Sequence, residues 1–163
     1  TGFQDDSPKG IRMRPIHAAR AALTLLAFTS ASSVLANIYA DQVDSHLQTR
    51  YEYWHDRDNG WTRLRNLRQV TTLKEGYGTI ATLKLIEGET YKIMGACDDD
   101  CTGMDFILRD DNGDQVDSDV GIHNLPIVEV TPARNSTFTL EIRMRKCASD
   151  AGCELGVDVY RGR

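Results

Sequence analysis

The C-terminal half of the chain alternates apolar and polar residues, and this pattern restricts the fold more than any other feature. Every second residue is apolar in 137–145, and the same alternation recurs in 79–85, 91–95 and 154–159. A period of two places apolar side chains on one face of a β-strand and polar side chains on the other. The sequence therefore predicts a mainly β protein, built as an antiparallel β-sandwich with a solvated outer surface.

The sequence also predicts one hairpin of the sandwich and the polar face of its last strand. Asn112-Gly113 lies between an apolar strand at 104–109 and a return at 115–116, and this dipeptide is the strongest short hairpin signal. In the last strand, Glu154 and Asp158 alternate with apolar residues. We expect these two carboxylates to face water.

The N-terminal region carries the pattern of a secretory signal peptide. An uncharged apolar stretch at 21–36 follows Met13 and Arg14 and ends in small residues. We expect cleavage after Ala36, so that residues 1–36 are leader and signal peptide, and residues 1–12 precede the natural start. The apolar stretch is shorter than the roughly 20 residues that a transmembrane helix needs. The predicted mature protein is periplasmic or secreted and has no stable membrane span.

A single helix is expected between the signal peptide and the sandwich. Val43, Leu47, Tyr51 and Trp54 recur at helical spacing in 38–54 and predict an amphipathic helix. The following segment, 61–73, fits either helix or extended chain. The predicted organisation is therefore an N-terminal helix with a connecting segment at 37–73 and a β-sandwich domain at 74–163.

All four cysteines lie beyond the predicted cleavage point, in an even number that indicates disulfides in an exported protein. They are Cys97, Cys101, Cys147 and Cys153. Zinc is the alternative, although zinc sites favour pairs closer than these. Four cysteines allow three pairings, and we favour the two local ones, Cys97 with Cys101 and Cys147 with Cys153. Bridges over such short loops are expected to shape turns more than to add global stability.

The charge of the chain excludes some partners. Its formal net charge is −5 and its pI is about 5.3, and Lys and Arg form no dense cluster. Nucleic acid and anionic lipid surfaces attract basic patches, which this sequence lacks. We therefore expect no nucleic-acid partner.

Three stretches resemble a known family of secreted bacterial domains. They read ETYKIMGACDDDCTGMDFILRDDNGDQVDSD, IVEVTPARNSTFTLEIRMRKC and GCELGVDVY. Together they are similar to domains related to the pre-peptidase C-terminal (PPC) domain. Gly103 stands where the family has the first aspartate of an acidic pair, and Asp105 matches the second. The resemblance implies a small β-sandwich of jelly-roll type that accompanies catalytic domains and supplies no peptidase activity.

Acidic residues suggest calcium as a cofactor, with no cofactor as the simpler expectation. Calcium takes six to eight oxygen ligands, many of them carboxylates. The candidate ligands are Asp98, Asp100, Asp105 and Asp110. The alternative is that these carboxylates are solvated in a disulfide-closed turn and in a hairpin. A joint site requires the two acidic stretches to converge.

Neither a nucleophile turn nor a paired acid and base stands out, so the sequence predicts no enzyme and no catalytic residue. Tyr53, Trp54 and Trp61 are candidate binding residues, because exposed aromatic side chains are frequent at binding surfaces. Packing of these rings over a sheet is the alternative. We predict an exported binding or structural module whose partner is an envelope or extracellular protein or polysaccharide. The alternatives are a calcium-binding structural domain and a small secreted hydrolase.

Overall fold

The computed structural model describes residues 31–57 and 60–162, with side chains in the helix described for residues 38–54. One helix precedes nine strands. These elements are α1 (Ala31–Arg57), β1 (Thr62–Arg63), β2 (Gln69–Leu73), β3 (Gly78–Leu85), β4 (Tyr91–Cys97), β5 (Cys101–Arg109), β6 (Gln115–Asp119), β7 (Ile127–Val130), β8 (Ser136–Cys147) and β9 (Cys153–Arg161).

The strands form two antiparallel sheets that pack face to face. In sheet A, β1 and β2 pair with one edge of β9, which is followed by β4 and β7. In sheet B the order is β3, β8, β5, β6. Sheet A thus has five strands and sheet B four. From β2 onward, the orders β2-β9-β4-β7 and β3-β8-β5-β6 are the connectivity of a jelly roll. The predicted antiparallel β-sandwich preceded by one helix is therefore confirmed.

The core lies between the two sheets and is built from the alternating apolar residues. In β8 the inward-facing set is at most 4% exposed, as the period of two predicts. It consists of Phe138, Leu140, Ile142 and Met144. Facing residues of sheet A, such as Ile93 and Val157, are equally buried. Alternation in sequence thus translates directly into the two inner faces.

The helix is longer than the sequence suggests. It begins at Ala31, ahead of the expected cleavage point after Ala36, and ends at Arg57, whereas the pattern predicts 38–54. The rest of the predicted leader and signal peptide, residues 1–30, lies outside the described residues. The predicted apolar helix face does contact the sandwich: Val43 and Leu47 are fully buried, and Tyr51 stacks on Tyr160 with ring centroids 5.5 Å apart.

The segment whose pattern is ambiguous, 61–73, contributes strands to sheet A. It forms β1, one turn of 3₁₀-helix at Arg65–Leu67, and β2, which pairs with β9 from Gln69 to Leu73. The sandwich therefore begins at β1 and not at residue 74. The ambiguity arises because β2 runs along a sheet edge, where only one face of the strand is partly buried.

The expectation that Glu154 and Asp158 face water is wrong for Asp158, which is 1% exposed. Helix α1 lies on the outer face of sheet A and covers β9 and β4. Gly156 allows this close approach, because a Cβ atom at that position would lie 2.6 Å from Cγ1 of Val43. β9 is therefore buried on both faces.

Candidate functional site

The segment Val120–Pro126 presents the most exposed apolar side chain of the described residues. This crossover loop leads from β6 of sheet B to β7 of sheet A. The Ile122 residue is 80% exposed and Val120 is 52% exposed. Contact of these two apolar side chains with water is unfavourable, and their burial against a partner would be favourable.

Hydrogen bonds hold the backbone of the crossover loop to both sheets. The Gly121 N–H donates to Oδ1 of Asp105 at 3.1 Å. The carbonyl of His123 accepts from the Met104 N–H at 2.9 Å, and that of Pro126 accepts from the Gly95 N–H at 2.8 Å. Fixed points thus lie immediately before and after Ile122. The exposed side chain is carried by an anchored backbone.

The helix holds the far end of the same loop. Leu125 packs against the small apolar cluster formed by Val43, Leu47 and Ala96 under α1. The guanidinium of Arg50 donates to the Leu125 carbonyl at 3.4 Å. Leu125 packs toward the helix, whereas Val120 and Ile122 point away from the protein. The apolar residues of the loop therefore serve two purposes, anchoring at Leu125 and exposure at Val120 and Ile122.

Two aspartates of β6 close the side of the sandwich next to the loop. Asp117 accepts from the Glu129 N–H at 2.7 Å, and Asp119 accepts from the Ile127 N–H at 2.8 Å. Both donors belong to the edge strand β7 of the opposite sheet. His123 also contacts Asp119, with Nε2 and Oδ1 2.9 Å apart. The two carboxylates therefore accept hydrogen bonds from the free backbone N–H groups of edge strand β7, and Asp119 also fixes the start of the crossover loop.

The arrangement suits recognition by hydrophobic insertion. Full burial of an isoleucine side chain from water is worth about 1.5–3 kcal/mol. Because the loop is already fixed, its ordering on binding costs little entropy. An anchored loop that exposes an aliphatic side chain suits insertion of that side chain into an apolar pocket on another macromolecule.

The four cysteines form two disulfides, Cys97–Cys101 and Cys147–Cys153, which is the local pairing favoured from the sequence. Each joins a strand of sheet A to a strand of sheet B, β4 to β5 and β9 to β8. Both lie at the same end of the sandwich, since Cys101 and Cys147 are opposite each other in sheet B. The bridges therefore tie the two sheets together, which differs from a role in shaping turns alone.

Asp98 occupies the end of β4 beside these disulfides and is 1% exposed. Its backbone N–H donates to the Glu154 carbonyl at 3.0 Å, and its Oδ2 accepts from the Glu154 N–H at 2.6 Å. Burial raises the pKa of Asp98 and, together with the nearby Asp98 charge, that of Glu154. Oδ1 of Asp98 has no hydrogen-bond partner among the described residues.

The four predicted calcium ligands do not come together. Asp100 and Asp110 flank opposite ends of the nine-residue strand β5, which separates them by about 30 Å. Between them, Asp105 pairs with Arg145 at 3.0 Å. Asp110 accepts from the Asn112 and Asp114 N–H groups, each at 2.9 Å, in the predicted hairpin turn. These four carboxylates therefore do not form one joint site.

A local calcium site at either stretch stays a prediction. Within residues 31–57 and 60–162, no three side chains of the His, Cys, Asp or Glu type form a group that could hold a metal ion.

The predicted aromatic binding residues pack at the junction of α1 and sheet A. Nζ of Lys92 lies between two indole rings, 4.4 Å from the centroid of Trp54 and 4.1 Å from that of Trp61. The space among these residues is only about 10 Å³. Tyr53 is 46% exposed and meets Trp54 edge-on. This geometry favours the packing alternative for the two tryptophans.

A second concave surface lies at the opposite end of β5 from the disulfides. This cleft of about 210 Å³ separates the β5–β6 hairpin from the β7–β8 loop. Val130 and Phe138 are among its apolar lining residues, and Arg134 crosses its rim to Asp111 at 2.8 Å. The ion pair occupies the charged groups of the rim, so the cleft is a weaker candidate than the crossover loop.

The crossover loop is a candidate site that the sequence pattern does not predict. The available signal is the pair Val120 and Ile122, which interrupts an otherwise acidic and polar stretch. Alternation alone would assign both residues to a core. Exposure of the two side chains follows from how the loop is tied to the sheets, which the sequence pattern does not encode.

Among the residues that the structure describes, no helix combines the length and the apolar character that crossing a membrane requires.

Comparison with known proteins yields no family. A scan against protein-family models finds no match, and a search of curated proteins finds no relative. Solved structures that show weak likeness to this chain include the following two. One is a periplasmic lysozyme inhibitor of g-type lysozyme from Aeromonas hydrophila, with 11% identity, a TM-score of 0.39, and coverage of 63% of this chain and 85% of the inhibitor.

The other is a structure of the CBM22-1-GH10 modules of an endo-1,4-β-D-xylanase from Clostridium thermocellum complexed with xylohexaose. Its identity to this chain is 16%, with a TM-score of 0.29 and coverage of 64% of this chain. This chain spans 26% of the xylanase structure. TM-scores below 0.5 carry no functional argument. The resemblance to PPC-related domains stays a prediction.

Proposed function

We propose that this chain is an exported, non-enzymatic binding module whose crossover loop inserts Ile122 into an apolar pocket of a partner protein. The observation that carries the proposal is the 80% exposure of Ile122 on a backbone anchored to both sheets. Binding energy at protein interfaces is concentrated in a few central anchor residues that enter desolvated pockets. Ile122 is the anchor, and Val120 extends the apolar contact.

The disulfides support an oxidising compartment, which is the periplasm or the extracellular space for a bacterial protein. Three of the four cysteines are buried and Cys147 is partly buried, and thiols in the cytosol are normally kept reduced. The partner is accordingly an envelope or extracellular protein.

The chemistry of the loop favours a protein over a polysaccharide. An aliphatic side chain gains by displacing water from an apolar pocket, whereas burying hydroxyl groups against it without hydrogen bonds is costly. The excess of acidic over basic residues favours a partner with a basic surface, because opposite charges accelerate encounter.

Site-specific photo-crosslinking tests this function. A benzoylphenylalanine is placed at position 122 in the producing cell, and at position 70 as a matched control. Val70 is 49% exposed on β2 and lies outside the crossover loop. We expect a discrete protein adduct from position 122 and none from position 70, because only the crossover loop enters the partner.

Affinity measurements on the identified protein complete the test. Ile122→Ser should weaken binding about 30-fold, the equivalent of about 2 kcal/mol, by removing the anchor. Val70→Ser should leave the dissociation constant unchanged. Equal adducts from both positions, or unchanged binding by Ile122→Ser, would contradict the proposal.

A further inference from the structure

The strand β3 forms the edge of sheet B that lies farthest from the crossover loop. It pairs with β8 over its whole length, from Gly78 opposite Arg143 to Leu85 opposite Ser136, without a bulge. On its other side, β3 has no strand partner within residues 31–57 and 60–162. An eight-residue edge of this kind offers a row of backbone donors and acceptors.

The pairing with β8 determines which backbone groups face outward. The carbonyl of Tyr77 accepts from the Met144 N–H at 2.9 Å, so residue 77 faces β8. Because successive residues of a strand direct their backbone groups to opposite sides, alternate residues face the free edge. These residues are Gly78, Ile80, Thr82 and Lys84.

The side chains along this edge do little to prevent strand addition. Natural edge strands are commonly protected by proline, bulges or several charges. From Gly78 to Leu85 there is no proline, and Lys84 is the only charged residue. Ile80 is 65% exposed on the outer face. The edge is therefore long, straight, nearly neutral and apolar at its centre.

We propose that a second copy of this chain pairs with β3 as an antiparallel strand, with a two-fold axis at Ala81. In this register Ile80 lies opposite Thr82 of the second copy, and Lys84 lies opposite Gly78. All four outward-facing residues of each strand then find partners, which gives about eight hydrogen bonds and one continuous eight-stranded sheet.

The sequence of β3 is complementary to itself in this register. Each lysine meets a glycine, over which its aliphatic stem can lie, so no like charges are directly opposite. The two isoleucines lie diagonally across the axis, within reach of each other. A strand with one charge at its end and small or β-branched residues at its centre thus suits a second copy of itself.

The dimer would leave the crossover loops free. They follow β6, which is the opposite edge of sheet B from β3. A dimer therefore carries two outward-facing loops, which raises the apparent affinity for any partner that offers two pockets. The pairing itself does not depend on the function proposed for the loop.

Light scattering coupled to size-exclusion chromatography tests the dimer on the chain with both disulfides formed, from about 1 to about 500 µM. We expect a concentration-dependent shift from monomer to dimer. Ile80→Lys places a positive charge diagonal to Lys84 of the second copy and should raise the dissociation constant at least about tenfold. Its melting temperature is measured at a concentration where both proteins are monomeric, to show that it folds.

Ile122→Lys is the matched control, since it adds the same charge at an exposed isoleucine on the other edge. It should leave the dimer unchanged. Monomer at every concentration, or a dimer that Ile122→Lys weakens and Ile80→Lys does not, would overturn the proposal.

Amide hydrogen exchange tests the register independently. At high concentration, exchange should slow at Gly78, Ile80, Thr82 and Lys84, whose N–H groups gain partners. The amides of Thr79 and Ala81 already face β8 and should show no such change. Slowing without this alternation would mean that the strand is buried in some other way, which also overturns the pairing.

Discussion

The outer faces of the two sheets arise from the same alternation of residues but differ in their surroundings. On sheet A, α1 packs over β9 and β4, and Ala96, Gly156 and Asp158 on this covered face are buried. On sheet B, the open face exposes side chains such as Arg143, which is 62% exposed. Polar residues at equivalent positions of a strand can therefore be buried or solvated, depending on what packs above them.

Charged groups on the two faces are stabilised differently. On the covered face, Asp158 pairs with Arg63 and accepts from the Tyr160 hydroxyl at 3.2 Å. Burial, with a smaller effect from Asp158, raises the pKa of Tyr160, so the hydroxyl remains a donor. On the open face, Glu141 pairs with Arg109 at 2.6 Å, with both side chains in partial contact with water. Ion pairs that are exposed to water contribute little to the free energy of unfolding, whereas a buried charge that has lost its partner strongly destabilises the folded state.

Removing one carboxylate from each face should give the largest difference in the free energy of unfolding between the covered and the open face. We expect Asp158→Ala to lower the free energy of unfolding by about 3 kcal/mol, because it leaves Arg63 largely buried without a counter-charge. Glu141→Ala should cost about 0.5 kcal/mol. Urea denaturation with the disulfides intact measures both, and equal losses would remove the distinction between the faces.

A side chain introduced between α1 and sheet A should cause the second largest loss of stability. Gly156→Ala should cost about 2 kcal/mol, because the new Cβ would lie 2.6 Å from Val43 Cγ1 and push α1 away. Gly103→Ala is the matched change in sheet B. There the nearest atom is Cβ of Arg145 at 3.3 Å, and we expect a loss below about 1 kcal/mol.

Thermal unfolding of both glycine variants distinguishes strain under the helix from a general intolerance of side chains at strand glycines. Similar losses at the two positions would show that α1 does not lie tightly on sheet A.

The pH dependence of stability should give the smallest effect. Burial raises the pKa of Asp98 above its ordinary value of 3.8, and burial and Asp98 raise that of Glu154 above 4.5. A raised carboxyl pKa favours the folded state at low pH, and this contribution is lost as the pH rises through the folded pKa. Asp98→Asn, which cannot ionise, should therefore lose less stability than the parent between about pH 4 and pH 7.

Melting temperatures at both pH values measure this difference, with Glu141→Gln on the open face as the control. A larger loss of stability in Asp98→Asn than in the parent would mean that the carboxylate is stabilised in the folded protein, contrary to its burial.

The features that sequence analysis predicted correctly depend on neighbouring residues. The hairpin at Asn112-Gly113 requires a positive φ, and Gly113 has φ of 89°. The inward faces of β8 and β9 and the contact face of α1 follow from periods of two and 3.6. The pattern at 61–73 fails because an edge strand is only partly buried.

For the candidate sites, residue type was a weaker guide than position in the fold. Trp54 and Trp61 are of a type that is frequent at binding surfaces, yet both indole rings pack against Lys92. Ile122 is of a type that is common in protein cores, yet among the residues whose exposure the structure describes it is the most exposed large apolar one. Neither outcome can be derived from the residue itself.

By itself, the sequence determined the elements of this protein, because local periodicity, turn chemistry and cysteine count act over a few residues at a time. It was sufficient for an antiparallel sandwich, a preceding helix with a defined apolar face, and a disulfide-bonded class of protein. Only the tertiary structure decided that α1 buries one outer face, that both disulfides join the sheets, and that the crossover loop directs Ile122 into water. These outcomes depend on contacts between segments that are distant in the sequence. Whether a side chain is buried or exposed is set by those contacts and not by its neighbours along the chain.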